Sequence, residues 1–273
     1  MNLHELNRDF HWEAHRGPYR LVSQEQAKAY DEQGFFLLED AFDRATMEAV
    51  IAEIDPIEAK VEQFLQTQRD GKLFIARAGE ITFCTHLVKQ SRKLRDFCSS
   101  RVFADLGHDL IGPDVRLYWD QSVYKKPGAD DPFPWHQDNG YTYIEPQQYL
   151  TCWVALEDAT RENGCPWVIP GVHRNGTLAH RSSDLGFVCW EDEPGEAVCV
   201  EAKAGSIVVF SSLTPHATGP NTTDGVRKAY IVQFAPDGAA NVKQSPDGGL
   251  ERIPVNAPDR QFPILVSGHP PTS

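Results

Sequence analysis

The chain has 273 residues, 41% hydrophobic and 24% charged, which suits a soluble globular protein with a substantial core and excludes disorder throughout. Its 39 acidic residues outnumber 26 Lys and Arg, for a net charge of −13, so the surface repels phosphate backbones and anionic lipid; neither nucleic acid nor a membrane is an expected partner. The six cysteines show no CxxC spacing, "MNLHELNRDFHWEAHRG" lacks the apolar core of a signal peptide, and no apolar run nears the roughly 18 residues that span a bilayer, so reduced thiols in a cytoplasmic protein are expected.

The first part of the chain reads as helical. In "SQEQAKAYDEQG", Ser23 is a candidate N-cap with Gln26 three residues on, and Gly34 marks a stop. A short strand "FFLLED" follows, then a helix over "DRATMEAVIAEI" capped by Asp43, with Met47, Val50, Ile51 and Ile54 on one face. A further helical stretch is expected over "PIEAKVEQFLQTQRDG". From about Asp114 the pattern changes to short strands rich in β-branched and aromatic residues: "VRLYWDQSVYKK", "YLTCWVALEDA", "GSIVVFSSL" and "KAYIVQFA". Turn signals at Pro127-Gly128, Asn163-Gly164, Pro170-Gly171 and Asp224-Gly225 separate them, with no helix between most. That order argues for an antiparallel barrel or jelly roll over a parallel βαβ sheet. The Pro- and Gly-rich segment from about 237 to 273 is expected to be largely irregular, and nothing marks a second domain.

The candidate chemistry begins at "PWHQDNG". On an extended segment residues i and i+2 point to one side, so His136 and Asp138 would share a cavity and cover two corners of a metal. A third donor must come from elsewhere. His173 and His180 flank the turn-like "RNGTLA", where solvated loop histidines are expected, whereas His216 follows the apolar strand "GSIVVFSSLTP" at the rim of a core. Two histidines and one carboxylate leave three corners open, the donor set of non-haem Fe(II) oxygenases. A cosubstrate such as 2-oxoglutarate then needs its far carboxylate anchored, and Arg227 opens the next strand with the planar fork suited to that. Each of these residues alone reads more simply as an exposed or strand-edge polar group. Their order as one connected set favours the site.

From "WHQD" through "CWVALEDATRENGCPWVIPGVH" to "PHATGPNTTDGVRKAYIVQF" the chain resembles the phytanoyl-CoA dioxygenase family over roughly residues 25–236, and is closest in wording to its domain-containing protein 1 branch. The resemblance implies a mainly β, double-stranded β-helix (jelly-roll, cupin-like) core with N-terminal flanking helices. It implies a single oxygenase domain over 1–273, with a helical part about 20–110 and a core about 114–236. The implied cofactors are Fe(II), with 2-oxoglutarate and O2 as cosubstrates. Carried over, the iron ligands are His136, Asp138 and His216, and the 2-oxoglutarate clamp is Arg227 helped by Thr218. Trp153 matches a position lining the cosubstrate pocket, and Lys126 and Gln121 match residues that approach 2-oxoglutarate in some members.

The implied reaction hydroxylates an unactivated carbon of a small organic or acyl substrate, releasing succinate and CO2. Related halogenases carry a small residue where this chain has Asp138, so the carboxylate favours hydroxylation. A jelly-roll metal-dependent hydrolase or isomerase, and a catalytically silent binding protein, are the alternatives. Trp135, Trp167 and Trp190 are expected in the core, and the acidic "WEDEPGE" stretch is expected to be solvated near the barrel mouth. The N-terminal segment has two candidate roles, covering the mouth or supporting a dimer.

Overall fold

The structure, a computed structural model, describes residues 2–190, 195–245 and 247–271. Local signals set the first elements. Helix α1 (Gln24–Gln33) starts at Ser23, whose hydroxyl accepts from the Gln26 amide while the Gln26 side chain returns to the Ser23 amide. It ends at Gly34 (φ 91°), and β1 (Phe35–Leu38) follows at once. Asp43 caps α2 (Arg44–Gln66) through the Thr46 amide at 2.8 Å.

The two helices expected on either side of Pro56 are one. Proline removes a helical hydrogen bond, but tertiary contacts hold this helix straight through it: Met47, Val50, Ile54 and Leu65 are buried, and Asp55, beside the proline, accepts from Tyr124 Oη (2.7 Å) and Lys228 Nζ (3.0 Å).

Next come β2 (Lys72–Leu73), β3 (Ala76–Arg77), β4 (Ile81–Thr85), α3 (Arg92–Cys98), α4 (Arg101–Leu110) and β5 (Val115–Lys125). After them run β6 (Phe133–His136), the single turn α5 (Asp138–Tyr141), β7 (Ile144–Glu145), β8 (Leu150–Ala155) and β9 (Pro166–Val168). The chain continues through β10 (Arg181–Ser183), β11 (Gly186–Val188), β12 (Val198–Cys199), β13 (Ile207–Ser211), β14 (His216–Thr218) and β15 (Arg227–Pro236). The tail, largely irregular as expected, also carries strands: β16 (Ala240–Gln244) and β17 (Leu250–Pro254) pair as a hairpin, and β18 (Pro263–Leu265) adds to β5.

All strand pairing is antiparallel. The large sheet runs β1-β13-β8-β15-β5-β4-β3-β2, and the smaller one runs β12-β9-β14-β6. This is the jelly roll expected from the strand pattern. Because side chains alternate across a strand, the large sheet has two distinct faces. On the outer one Tyr124, Cys152, Val154, Val209, Tyr230 and Val232 pack with buried residues of the helices, such as Ile54, Phe97 and Phe103. On the inner one Val123, Trp153, Val208, Phe210, Ala229 and Ile231 form a second core with Val168 of the small sheet. The N-terminal segment is tied down behind the barrel. Leu3 bridges Leu178, Asn7 donates to the carbonyls of Asn175 (2.9 Å) and Thr177 (3.0 Å), and the Asp109 carboxylate accepts the amides of Arg20, Leu21 and Val22.

Gly34 is where the first helix must turn into the sheet. A Cβ there would lie 2.5 Å from Thr214 Oγ1 and 2.6 Å from His173 Nδ1. Gly34→Ala, combining a left-handed backbone with a clash, is expected to lower unfolding free energy by at least about 2 kcal/mol in a urea titration.

Candidate metal centre and anion pocket

His136 ends β6, and the antiparallel register of β6 with β14 sets His216 directly opposite it, the two rings 4.1 Å apart. Gln137 is extended, so Asp138 returns to the same side as His136 before the chain turns into α5. One donor atom from each of His136, Asp138 and His216 lies within 4.8 Å of the others, with His216 Nε2 3.9 Å from Asp138 Oδ1. A metal at about 2.1 Å from each donor requires only small side-chain movements to be held by all three.

The surroundings orient these donors. His136 Nδ1 faces the Pro134 carbonyl at 2.8 Å and His216 Nδ1 the Thr214 carbonyl at 3.0 Å; a carbonyl only accepts, so each ring carries its proton on Nδ1 and presents a bare Nε2. Burial, with His216 beside it, holds His136 neutral down to about 3 against the attraction of Asp138. Burial likewise holds His216 neutral down to about 4. For Asp138, burial raises the carboxyl, opposed by His136 and by hydrogen bonds from Thr151 and Gln233. Thr151 Oγ1 donates to Asp138 Oδ2 at 2.6 Å, and Gln233 Nε2 donates to Thr151 Oγ1 at 3.3 Å. Neither Thr151 nor Gln233 stood out in the sequence, because a threonine and a glutamine in apolar strands carry no local signal; their register, Gln233 opposite Thr151, makes them a pair.

Behind the "HQD" segment, Gln137 is fully buried. Its amide side chain donates to the Gly176 carbonyl (3.1 Å) and accepts from the Leu178 amide (2.6 Å). The expectation that His173 and His180 are solvated is corrected. His173 is fully buried at the junction of Gly34, Asp31 and Trp12, where the 3-10 turn packs under α1. His180 is half-buried and accepts the Gln137 backbone N–H on Nε2 at 2.9 Å, so it braces the strand carrying the candidate ligands.

A second feature lies on the same inner face. Arg227 and Lys125 are opposite one another in the β15–β5 ladder, each only 1% exposed. All three guanidinium nitrogens of Arg227 are buried without a hydrogen-bond partner among the described residues. Burial lowers Arg227 to about 10, while Cys165 pulls the other way. Burial first, then Arg227, lowers Lys125 to about 7 against the influence of Asp131. Its ammonium donates to the carbonyls of Asp131 and Gly219. The guanidinium carbon lies 5.3 Å from the Trp153 ring, and Trp153 is two residues from Thr151, about 7 Å along β8. The Asp138 support and the arginine are thus neighbours on one strand face.

Gln121, opposite Ile231, is on this face too, its Oε1 accepting from Trp119 Nε1 at 3.1 Å, and Thr218 shares the His216 side of β14. Lys126 is the correction. It emerges on the outer face and forms an ion pair with Glu58 of α2, so Lys125 takes the inward place. Trp135, Trp167 and Trp190 are half-exposed and not core, with Arg161 4.8 Å over the Trp167 ring. Of "WEDEPGE", residues 191–194 lie outside the described residues.

A jelly roll with two histidines, one carboxylate and a buried arginine on its inner face defines a non-haem Fe(II)- and 2-oxoglutarate-dependent oxygenase. The comparisons agree: residues 30–229 match the family described as phytanoyl-CoA dioxygenase (PhyH), and the chain belongs to it. It is 29% identical over 195 residues to the phytanoyl-CoA dioxygenase of Arabidopsis thaliana, covering 69% of this chain and 68% of the relative. It is 26% identical over 301 residues to the mouse (Mus musculus) phytanoyl-CoA dioxygenase domain-containing protein 1, covering 90% and 99%. Among solved structures, EvdO2 from Micromonospora carbonacea var. aurantiaca complexed with 2-oxoglutarate superposes with a TM-score of 0.65 at 24% identity, over 84% of this chain and 96% of that one.

Two outcomes follow from this geometry. Thr151→Val removes the donor that orients Asp138 and is expected to weaken Mn(II) binding about 10–100-fold, read by titration. Lys125 is held below its unfolded range, so the folded state binds fewer protons between pH 7 and about 10 and gains stability as pH rises there. Lys125→Met is expected to remove that gain, measured as the difference between the two proteins' urea midpoints across this window.

Proposed function

We propose that the protein is a hydroxylase in which His136, Asp138 and His216 hold ferrous iron and Arg227 anchors the far carboxylate of 2-oxoglutarate. The observation that carries this reading is the unpartnered, buried Arg227 guanidinium beside Lys125, on the same inner face as three convergent metal donors. A buried guanidinium without an acid is costly, and a dicarboxylate offsets that cost. When bound, iron and 2-oxoglutarate supply the activation of O2, with succinate and CO2 released and oxygen inserted at an unactivated carbon.

The protein's own residues set the rest. His136 and His216 present oriented, neutral Nε2 atoms, and Asp138 is steered by Thr151. A carboxylate at Asp138 leaves no corner for halide, which favours hydroxylation. Trp153 floors the anion pocket; Thr218 and Gln121 flank it, and Lys125 gives it a second positive charge. The substrate in this reading is a small organic or acyl compound, taken by a single domain acting in the cytoplasm. Six free thiols support that compartment, and no helix among the described residues is long and apolar enough to cross a membrane.

Succinate release from 2-oxoglutarate, with Fe(II), ascorbate and a panel of small acids and acyl compounds, tests the assignment. Asp138→Ala is expected to reduce release at least about 100-fold, and Arg227→Ala to raise the KM for 2-oxoglutarate about 30-fold or more. Undiminished succinate release by Arg227→Ala would remove the arginine from the clamp, whereas no succinate release by the wild type alongside metal-dependent turnover that Arg227→Ala keeps would favour a hydrolase or isomerase.

A further inference from the structure

Two small hairpins meet beside the candidate metal centre. In β2–β3, Leu73 pairs with Ala76, so Phe74 and Ile75 form a two-residue turn. Phe74 has φ 52°, a positive value at the first turn position where glycine is the favoured residue. A phenylalanine there is strained by its Cβ, and it gains little from burial, being 67% exposed. Local folding physics gives no reason for this residue at this position.

Its surroundings supply one. The Phe74 ring lies 6.3 Å from Phe187 of the β10–β11 hairpin, Phe187 lies 5.0 Å from Tyr141, and Tyr141 lies 5.3 Å from the His136 ring. All three contacts are edge-to-face, and their spacings fall in the range of interacting aromatic pairs. The Tyr141 hydroxyl accepts the Phe187 N–H at 3.2 Å. The hairpins are also joined by backbone and charge: Arg77 Nη2 donates to the Asp184 carbonyl (3.3 Å) while Nη1 pairs with Asp131 (3.0 Å), and Ile75 packs on Gly186. Lys72, Arg181 and Asp184 are exposed. A series of aromatic rings in contact thus runs from the exposed Phe74 to a candidate ligand.

We propose that these hairpins form an aromatic clasp, and that the substrate lays an uncharged, apolar group against the Phe74, Phe187 and Tyr141 rings as it approaches the metal. This rests on the reading of His136, Asp138 and His216 as the metal site. In it, Phe74 and Phe187 determine specificity, and the strain at Phe74 is retained for contact with substrate.

The test uses the full chain with Mn(II) and 2-oxoglutarate, N-phenyl-1-naphthylamine as the fluorescent apolar probe, n-octanol as competitor and glycine betaine as polar control. The wild type is expected to bind the probe saturably, with displacement by n-octanol and none by betaine. Phe74→Gly is expected to weaken the probe at least about fivefold, to leave Mn(II) affinity within about twofold, and to melt within about 2 °C of the wild type or higher. Phe187→Leu is expected to weaken the probe similarly. Probe affinity indifferent to both substitutions, or displaced by betaine, overturns the clasp while the metal reading stands. A Phe74→Gly protein that melts well below the wild type overturns it too, since Phe74 is then a packing residue. Failure of the wild type to bind Mn(II) overturns the metal reading, and the clasp's role in substrate binding with it.

Discussion

The antiparallel pairing of β6 with β14 is the contact on which the site depends, because it sets His136 and His216 face to face although eighty residues of chain separate them. Both strands are short, and neither would hold a position alone. β14 is fixed on its other side by β9, and β6 is held from behind by Gln137 and His180. Carbonyls two residues upstream of each histidine fix the ring protons on Nδ1. Burial keeps both rings neutral. The result is a pair of imidazole donors oriented before any ion arrives.

The large sheet separates stability from chemistry by the alternation of its side chains. Its outer face is covered by helices and carries the aromatic and aliphatic core, with polar contacts such as Lys126–Glu58 and Lys228–Asp55 joining sheet to helix. Its inner face carries Thr151, Trp153, Gln233, Arg227 and Lys125. A fold selected only for stability would not leave a buried guanidinium unsatisfied beside a second basic side chain. That cost, several kcal/mol in effective terms for a buried ion, is what an anionic ligand would offset in the proposed reading.

Beside the candidate centre the polarity is opposite. Arg227 and Lys125 are buried and polar, whereas the rings in contact from His136 through Tyr141 and Phe187 end at the exposed Phe74. A site built this way would hold a small charged cosubstrate at the bottom and an uncharged part of the substrate at the top. The N-terminal segment is bound to the 175–178 loop and to α4.

What the sequence determined by itself was local or ordered along the chain. Ser23, Gln26, Gly34 and Asp43 begin and end helices through contacts within a few residues, and the four long strands were legible from their apolar runs. The set His136, Asp138, His216 and Arg227 was readable because only one fold-level explanation joins those residue types in that order. Tertiary structure decided whatever depends on register. "YKK" offers two lysines of opposite facing, and only the pairing of β5 with β15 puts Lys125 opposite Arg227 and turns Lys126 to α2. Thr151 and Gln233 became a support for Asp138 only when their strands aligned, and His173 and His180 left solvent only when α1 and the Gln137 strand packed on their loop. A side chain's type is written in the chain, but the face it shows and the partner it meets are set by strands brought together across long separations.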